Sequence, residues 1–148
     1  MKVVIQRVLE ASVTVEGETV GRISHGMLVL AGVVHGDTDQ DIAWIAQKLV
    51  TLRVFREGEK HFDRDVLQVG GSVLLVSQFT LAGDARKGRR PSFDEAARPE
   101  FARPMFERLV SAVRATGAAV QTGQFAADMR VSLINDGPVT ILLDSRNH

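Results

Sequence analysis

Ser77-Gln78-Phe79-Thr80 stands where an apolar run beginning at Ser72 gives way to a polar stretch rich in glycine and arginine. Hydroxyl, carboxamide and backbone N–H groups therefore arrive together at the end of a strand. Strand ends are favourable places for chemistry, because the sheet fixes the groups while a loop opens beside them. The Thr80 hydroxyl has no base close by in sequence, and an unassisted threonine is a poor nucleophile. The amides around Phe79 and Thr80 suggest another use. Held in place, they could stabilise an oxyanion, an effect of about 3 kcal/mol in acyl transfer. That chemistry requires a substrate that is already activated, or one that supplies its own nucleophile.

Other hydrolytic machinery is missing. The four histidines, His25, His35, His61 and His148, share no metal-like spacing, and each falls at a strand end, in a turn or at the terminus. Asp63 and Asp65 flank Arg64 in a polar stretch that reads as a solvated turn rather than a carboxylate pair sharing a proton. Neither a G-x-S-x-G elbow nor an H-E-x-x-H pair occurs. The dinucleotide and P-loop glycine signatures are absent as well. With zero cysteines there is no thiolate chemistry and no disulfide framework. The expectation is an enzyme without metal or cofactor.

Formal charge is zero, so any contact with nucleic acid must come from a local patch. Arg86-Lys87-Gly88-Arg89-Arg90 is such a patch. It reads either as a solvated loop or as a phosphate-contacting one, placed shortly after Ser77-Gln78-Phe79-Thr80.

The elements that must position these groups follow from periodicity. Val13 and Val15 alternate with Ser12 and Thr14, Gly17 turns the chain, and Thr19-Val20 begins a return strand. Met27 to Val34 is apolar almost throughout, as suits a strand buried on both faces. Asp37 or Thr38 can cap a helix in which Ile42, Ile45, Leu49 and Leu52 share a face, with Asp41 completing a capping box. Gly70-Gly71 introduces the strand Ser72 to Gln78, and a long loop covers 82–98. A second helix runs from about Pro99 to Thr116 with Phe101, Met105, Leu109, Val110 and Val113 inward, Pro104 being a start or a kink. A strand near Ala119–Gln121 and two around Gly137-Pro138 complete the chain. At 148 residues with 45% hydrophobic content this is one domain, 1–148. It is an α/β fold: a mixed β-sheet with two main helices packed on one face. No apolar stretch could span a bilayer and no signal-peptide pattern is seen, so a cytoplasmic protein with no membrane partner is expected.

Asn135-Asp136-Gly137-Pro138 interrupts what would otherwise be one strand, because proline has no N–H for a ladder. Taken alone, the segment predicts a hairpin turn joining two core strands.

Together these motifs resemble the D-aminoacyl-tRNA deacylases, also called D-tyrosyl-tRNA deacylases. The resemblance runs through Gln6-Arg7-Val8, Ala11-Ser12-Val13-Thr14-Val15, Gly70-Gly71-Ser72-Val73, Ser77-Gln78-Phe79-Thr80-Leu81 and Arg90-Pro91-Ser92-Phe93. It continues through Phe125-Ala126-Ala127-Asp128-Met129 to Asn135-Asp136-Gly137-Pro138-Val139-Thr140. Phe62-Asp63 departs from it, where relatives are expected to carry Met-Asn.

The resemblance implies an editing esterase that releases D-amino acids, and glycine, from tRNA. It also implies a homodimer in which a Gly-cisPro pair, here Gly137-Pro138, enters the other subunit's site and rejects L-amino acids. Arg7 then matches the residue that holds the pair, Ser77, Gln78, Phe79 and Thr80 the pocket, and Met129 its wall. Thr80 is either a nucleophile or a positioning group. Two other readings stand beside this one. The first is an RNA-binding module using Arg86, Lys87, Arg89 and Arg90, which a 5% aromatic content disfavours. The second is a synthetase-type editing domain for an L-amino acid.

Overall fold

The computed structural model describes residues 1–147; His148 lies outside the described residues. Strand β1 (Lys2–Val15) organises the sheet because its 14 residues serve three partners. Along one edge it pairs antiparallel with β3 (Gly26–Gly32) and then with β2 (Glu18–Ile23), and along the other with β8 (Arg130–Asp144). Beyond β3 the sheet continues in parallel through β6 (Ser72–Ser77) to β7 (Ala119–Thr122), giving the order β2-β1-β3-β6-β7. Parallel neighbours need crossover connections, and helices α1 (Asp39–Thr51) and α2 (Pro99–Ala115) lie within the two crossovers.

Both helices pack into one core layer. Ile42, Ile45 and Leu49 of α1 and Met105, Leu109 and Val113 of α2 meet Val29, Val73 and Leu75 of the sheet. The opposite faces of β3 and β6 present Leu28, Leu74 and Val76 to Val8, Val13 and Ile23, because the far half of β1 and β2 curl over the sheet. This double coverage explains the uninterrupted apolar runs at Met27 and Ser72. The curl is close: a Cβ on Gly21 would lie 2.3 Å from the Thr122 carbonyl oxygen, so only glycine lets β2 cross β7 there.

The capping box forms as expected, with the Asp41 carboxylate accepting from the Thr38 N–H at 2.7 Å. Asp37 does not cap. It is buried, accepts the Val34 N–H at 2.8 Å and pairs with the Met1 ammonium at 2.6 Å. Helix α2 continues through Pro104, whose ring faces solvent.

Three expectations need correction. Phe101, expected on the inward face of α2, is 44% exposed, while Ala102 and Phe106 are buried in its stead. The polar stretch around Asp63 is not a turn. It forms a hairpin of β4 (Phe55–Glu57) and β5 (Lys60–Arg64), joined across by Glu57 and Arg64. Nor does Gly137-Pro138 turn a hairpin between two strands. The chain keeps its direction, and β8 remains paired with β1 on both sides of the interruption, through Val8↔Asn135 before it and Gln6↔Thr140 after it. Asp136 to Val139 therefore leave the ladder opposite the single residue Arg7, with Gly137 and Pro138 exposed and Val139 buried. The proline loses no ladder bond, because at this point β8 has left the ladder.

Candidate active site

The C-terminal end of β6 opens into a cavity of about 570 Å3. Ser77, Gln78 and Phe79 form its sheet side; Phe93, Ala97 and Arg98 come from the loop before α2, Ala102 and Phe106 from α2 itself, and Phe125 and Met129 from the segment before β8. The floor is apolar and the rim aromatic. Phe79 meets Phe93 edge-on at 5.3 Å, Phe106 tilts against Phe125 at 6.2 Å, and the Arg103 guanidinium lies 4.7 Å over the Phe125 ring. Met129 reaches the wall because residue 123 is glycine: a Cβ there would lie 2.7 Å from the Met129 sulfur.

After Ser77 the chain tightens into a single 3-10 turn, Phe79–Ala82. Gln78 is the last residue tied to the sheet, its N–H donating to the Ala31 carbonyl at 2.9 Å. The next two amides, those of Phe79 and Thr80, start the turn and so have no intrahelical acceptor, and among the described residues no other acceptor reaches them. Thr80 is exposed and lies beside the cavity rather than in its lining. Its hydroxyl accepts a short hydrogen bond from the Gln78 carboxamide, which orients both groups.

Among the described residues no histidine, aspartate or glutamate lines the cavity. His25 packs edge-on against Phe55 at 5.1 Å, the His35 backbone N–H donates to the Glu95 carbonyl at 3.0 Å, and His61 lies on β5. Among the described residues no three histidine, aspartate or glutamate side chains are grouped so as to hold a metal ion.

A second group of residues assembles around the β8 bulge. The Gly137–Pro138 peptide is cis and both residues are exposed. Neither lines the cavity of its own chain. Arg7 is 2% exposed and holds the bulge from below. Its Nε donates to the Asp136 carbonyl at 2.9 Å and lies 3.3 Å from the Asp136 carboxylate, while Nη1 donates to the Val54 carbonyl at 2.7 Å. Asn135 closes the bulge from the side, its Oδ1 accepting the Val139 N–H at 2.7 Å and its Nδ2 donating to the Val139 carbonyl at 3.2 Å. These side chains replace the ladder bonds that the bulge gives up. The clamp role of Asn135, the anchoring carbonyl of Val54 and the cavity walls Phe93, Phe106 and Phe125 were not foreseen from sequence. An Asn just before Asp-Gly-Pro was the available signal for the first.

The basic run lies on a loop whose root is closed by two backbone bonds, Asp84 N–H to the Ser92 carbonyl at 2.7 Å and the reverse at 2.8 Å. Lys87, Arg89 and Arg90 are exposed. Arg86 is engaged: its guanidinium grips the Asp84 carboxylate at 2.9 and 2.7 Å, holding that carboxyl well below the usual carboxylate range.

Two unpartnered amides beside an apolar cavity, with no acid–base pair among the described residues, suit the hydrolases acting on activated carboxylic esters. The chain belongs to the D-Tyr-tRNA(Tyr) deacylase family, whose model matches residues 4–144. It is 55% identical over 148 residues to the D-aminoacyl-tRNA deacylase of Desulfitobacterium hafniense (strain DSM 10664 / DCB-2), covering 100% of this chain and 99% of that one. The D-aminoacyl-tRNA deacylase of Halalkalibacterium halodurans is 53% identical over 146 residues, covering 99% of this chain and 100% of the relative. Among solved structures, the c-Myc DNA Unwinding Element Binding Protein superposes with a TM-score of 0.92 at 38% identity, over 97% of this chain and 98% of that one. A probable eukaryotic D-amino acid tRNA deacylase superposes with a TM-score of 0.83 over 96% and 97% of the two chains; at 17% identity this likeness speaks for the fold alone. No helix among the described residues is long and apolar enough to cross a membrane.

Proposed function

We propose that this protein hydrolyses the ester bond between a D-amino acid, or glycine, and the terminal ribose of tRNA. The observation that carries the proposal is the pair of unengaged amides at Phe79 and Thr80, beside a cavity to which the described residues bring no histidine, aspartate or glutamate. An aminoacyl ester carries a good leaving group, and the adjacent ribose 2′-hydroxyl can assist the attacking water, so positioning and oxyanion stabilisation suffice. Water adds to the carbonyl carbon, the Phe79 and Thr80 amides hold the oxyanion, and its collapse releases the ribose oxygen and the free D-amino acid. The Thr80 hydroxyl, oriented by Gln78, places the substrate or the water.

Selectivity comes from the bulge. In a homodimer, the exposed Gly137-Pro138 of one subunit walls the other subunit's cavity where an L side chain would point. A wall anchored by Arg7 and Asn135 cannot yield without strain, so it rejects by exclusion. Glycine and D-amino acids present only a hydrogen at that position and are accepted. Incubation with D-Tyr-tRNA, L-Tyr-tRNA and Gly-tRNA tests the reading: release from the first and third, with the L-ester spared, is expected. Equal cleavage of both enantiomers would refute the wall, and cleavage of none would refute the activity.

A further inference from the structure

We infer that the loop from Asp84 to Ser92 is an RNA-contacting arm, in which Lys87, Arg89 and Arg90 meet backbone phosphates while Arg86, taken up by Asp84, makes no phosphate contact. The inference rests on the tRNA-ester reading and adds to it where the body of the RNA lies.

The first observation is the location of the arm's root. A Cβ on Gly83 would lie 3.0 Å from the Phe93 ring, and Phe93 both lines the cavity and packs on Phe79. The reciprocal Asp84–Ser92 bonds close the root beside Phe93, so the arm leaves the protein at the mouth of the cavity. The arm is thereby within reach of a strand whose 3′ end is buried there.

The second is the local charge balance. The acidic neighbours are already occupied: Asp84 by Arg86, Asp94 by the Ser92 hydroxyl at 2.7 Å, and Glu95 by Lys2 at 3.1 Å. None of the ion pairs among the described residues involves Lys87, Arg89 or Arg90, and all three are exposed. On a chain of zero formal charge this is a concentrated positive site. Exposed cations around a cavity mouth raise the local concentration of a polyanion and release its counterions on contact. Gly88, at φ +69°, gives the arm's tip its turn, and a Cβ there would meet nothing within 4 Å, so the tip stands clear of the protein.

The test compares kcat/KM for D-Tyr-tRNA with that for D-tyrosyl-adenosine, a minimal ester without phosphates, as salt rises from about 50 to about 200 mM. Each phosphate contact contributes roughly 0.7–0.9 to the salt slope, so three contacts lose about 20–40-fold across that range. In the triple variant K87Q/R89Q/R90Q this part of the salt dependence should vanish, and the preference for tRNA over the minimal ester should fall about tenfold or more. The charge-conserving double variant D84N/R86Q should keep the wild-type slope. A wild-type slope in the triple variant overturns the arm, and so does an equal fall on both esters, which would mark the loop as support for the cavity. A flattened slope in D84N/R86Q overturns the division of labour by assigning the contact to Arg86. Should the wild-type protein cleave neither ester, the hydrolytic reading fails, and the same slopes are read from the binding of uncharged tRNA, where a wild-type slope in the triple variant still sinks the arm.

Discussion

Gly137→Ala isolates the rigidity of the bulge from its composition. Gly137 has φ +143°, a conformation that L side chains rarely adopt, and an added Cβ would lie 2.8 Å from Val139 Cγ2, 3.0 Å from the Val139 nitrogen and 3.1 Å from Arg7 Nη2. None of these neighbours can easily retreat. The Val139 N–H is held by Asn135, and Arg7 is buried and tied to the Val54 and Asp136 carbonyls. The backbone conformation costs about 1–3 kcal/mol and the crowding a similar amount. Together these fall within a domain's typical stability of about 5–15 kcal/mol, so the variant stays folded. At roughly 3 °C per kcal/mol for a chain of this size, melting should drop by about 6–18 °C. The bulge relieves the clash by moving outward, and the proposed wall moves with it. Parallel measurements of kcat/KM on D-Tyr-tRNA and L-Tyr-tRNA should show discrimination falling at least tenfold, a loss of about 1.4 kcal/mol. Gly58→Ala is the control, since Gly58 also has positive φ but nothing within 4 Å of its Cβ position. A Gly137→Ala protein that melts lower yet discriminates like wild type would refute the wall.

Arg7→Met keeps the volume and removes the anchors. Two charge-assisted bonds to carbonyls are lost, at about 1.5–3 kcal/mol each, so urea unfolding should show a loss of about 3–6 kcal/mol together with weakened discrimination; unchanged stability would contradict the anchoring role. Thr80→Ala should leave single-turnover release from D-Tyr-tRNA within about tenfold of wild type if the hydroxyl only positions, whereas a fall of about a thousandfold or more would restore the covalent route. The β4–β5 hairpin has its own acid window. The hydrogen bond from Arg64 holds the Glu57 carboxyl down to about 2, against an ordinary value of 4.5. Because the folded value is depressed, the contribution of this pair is present above the ordinary value and disappears as pH falls from there toward 2. Carboxyl NMR shifts should place the Glu57 titration near the lower value; a midpoint near 4.5 would show that the pair is not populated in solution.

Much of the fold was legible because local chemistry and tertiary packing agree. Ile42, Ile45 and Leu49 recur at helical spacing and meet the sheet as a stripe, and Thr38 with Asp41 forms the cap its spacing announces. The 55–64 hairpin was illegible for the opposite reason. Only Phe55 of β4 is buried, so the polar surface shows no alternation, and the pairing depends on a contact between Glu57 and Arg64 that no periodicity displays. The bulge was misread through a sound rule applied one step short. Proline does end a ladder, but a ladder can resume in the same direction when side chains supply the missing bonds. Those side chains belong to residues 7 and 135, which are far apart in sequence. At the site, the strand end that delivers Ser77 to Thr80 was legible. The aromatic rim was not, because Phe93, Phe106 and Phe125 come from separate elements and meet only in three dimensions.

The two working parts of this molecule rest on different kinds of support. The donors proposed for the cavity are backbone amides at a strand end, so their positions follow from the β3–β6 pairing and survive most changes of side chain. The bulge depends on two side chains, Arg7 and Asn135, because a segment that has left its ladder has no backbone partners of its own. That difference implies a separable pattern of failure. Damage to the anchors should spoil the choice between enantiomers before it spoils hydrolysis, since the amides at Phe79 and Thr80 are fixed by β6 and owe nothing to Arg7. Carbonyl polarisation and chiral exclusion also make opposite demands on a site: the first needs donors close to the ester, the second needs unyielding atoms close to the α-carbon. Meeting both with one loop would couple every adjustment of one to the other. Placing the proposed donors at the end of β6 and the proposed wall on an exposed bulge of β8 removes that coupling, and in the proposed homodimer a second copy of the chain brings the two together.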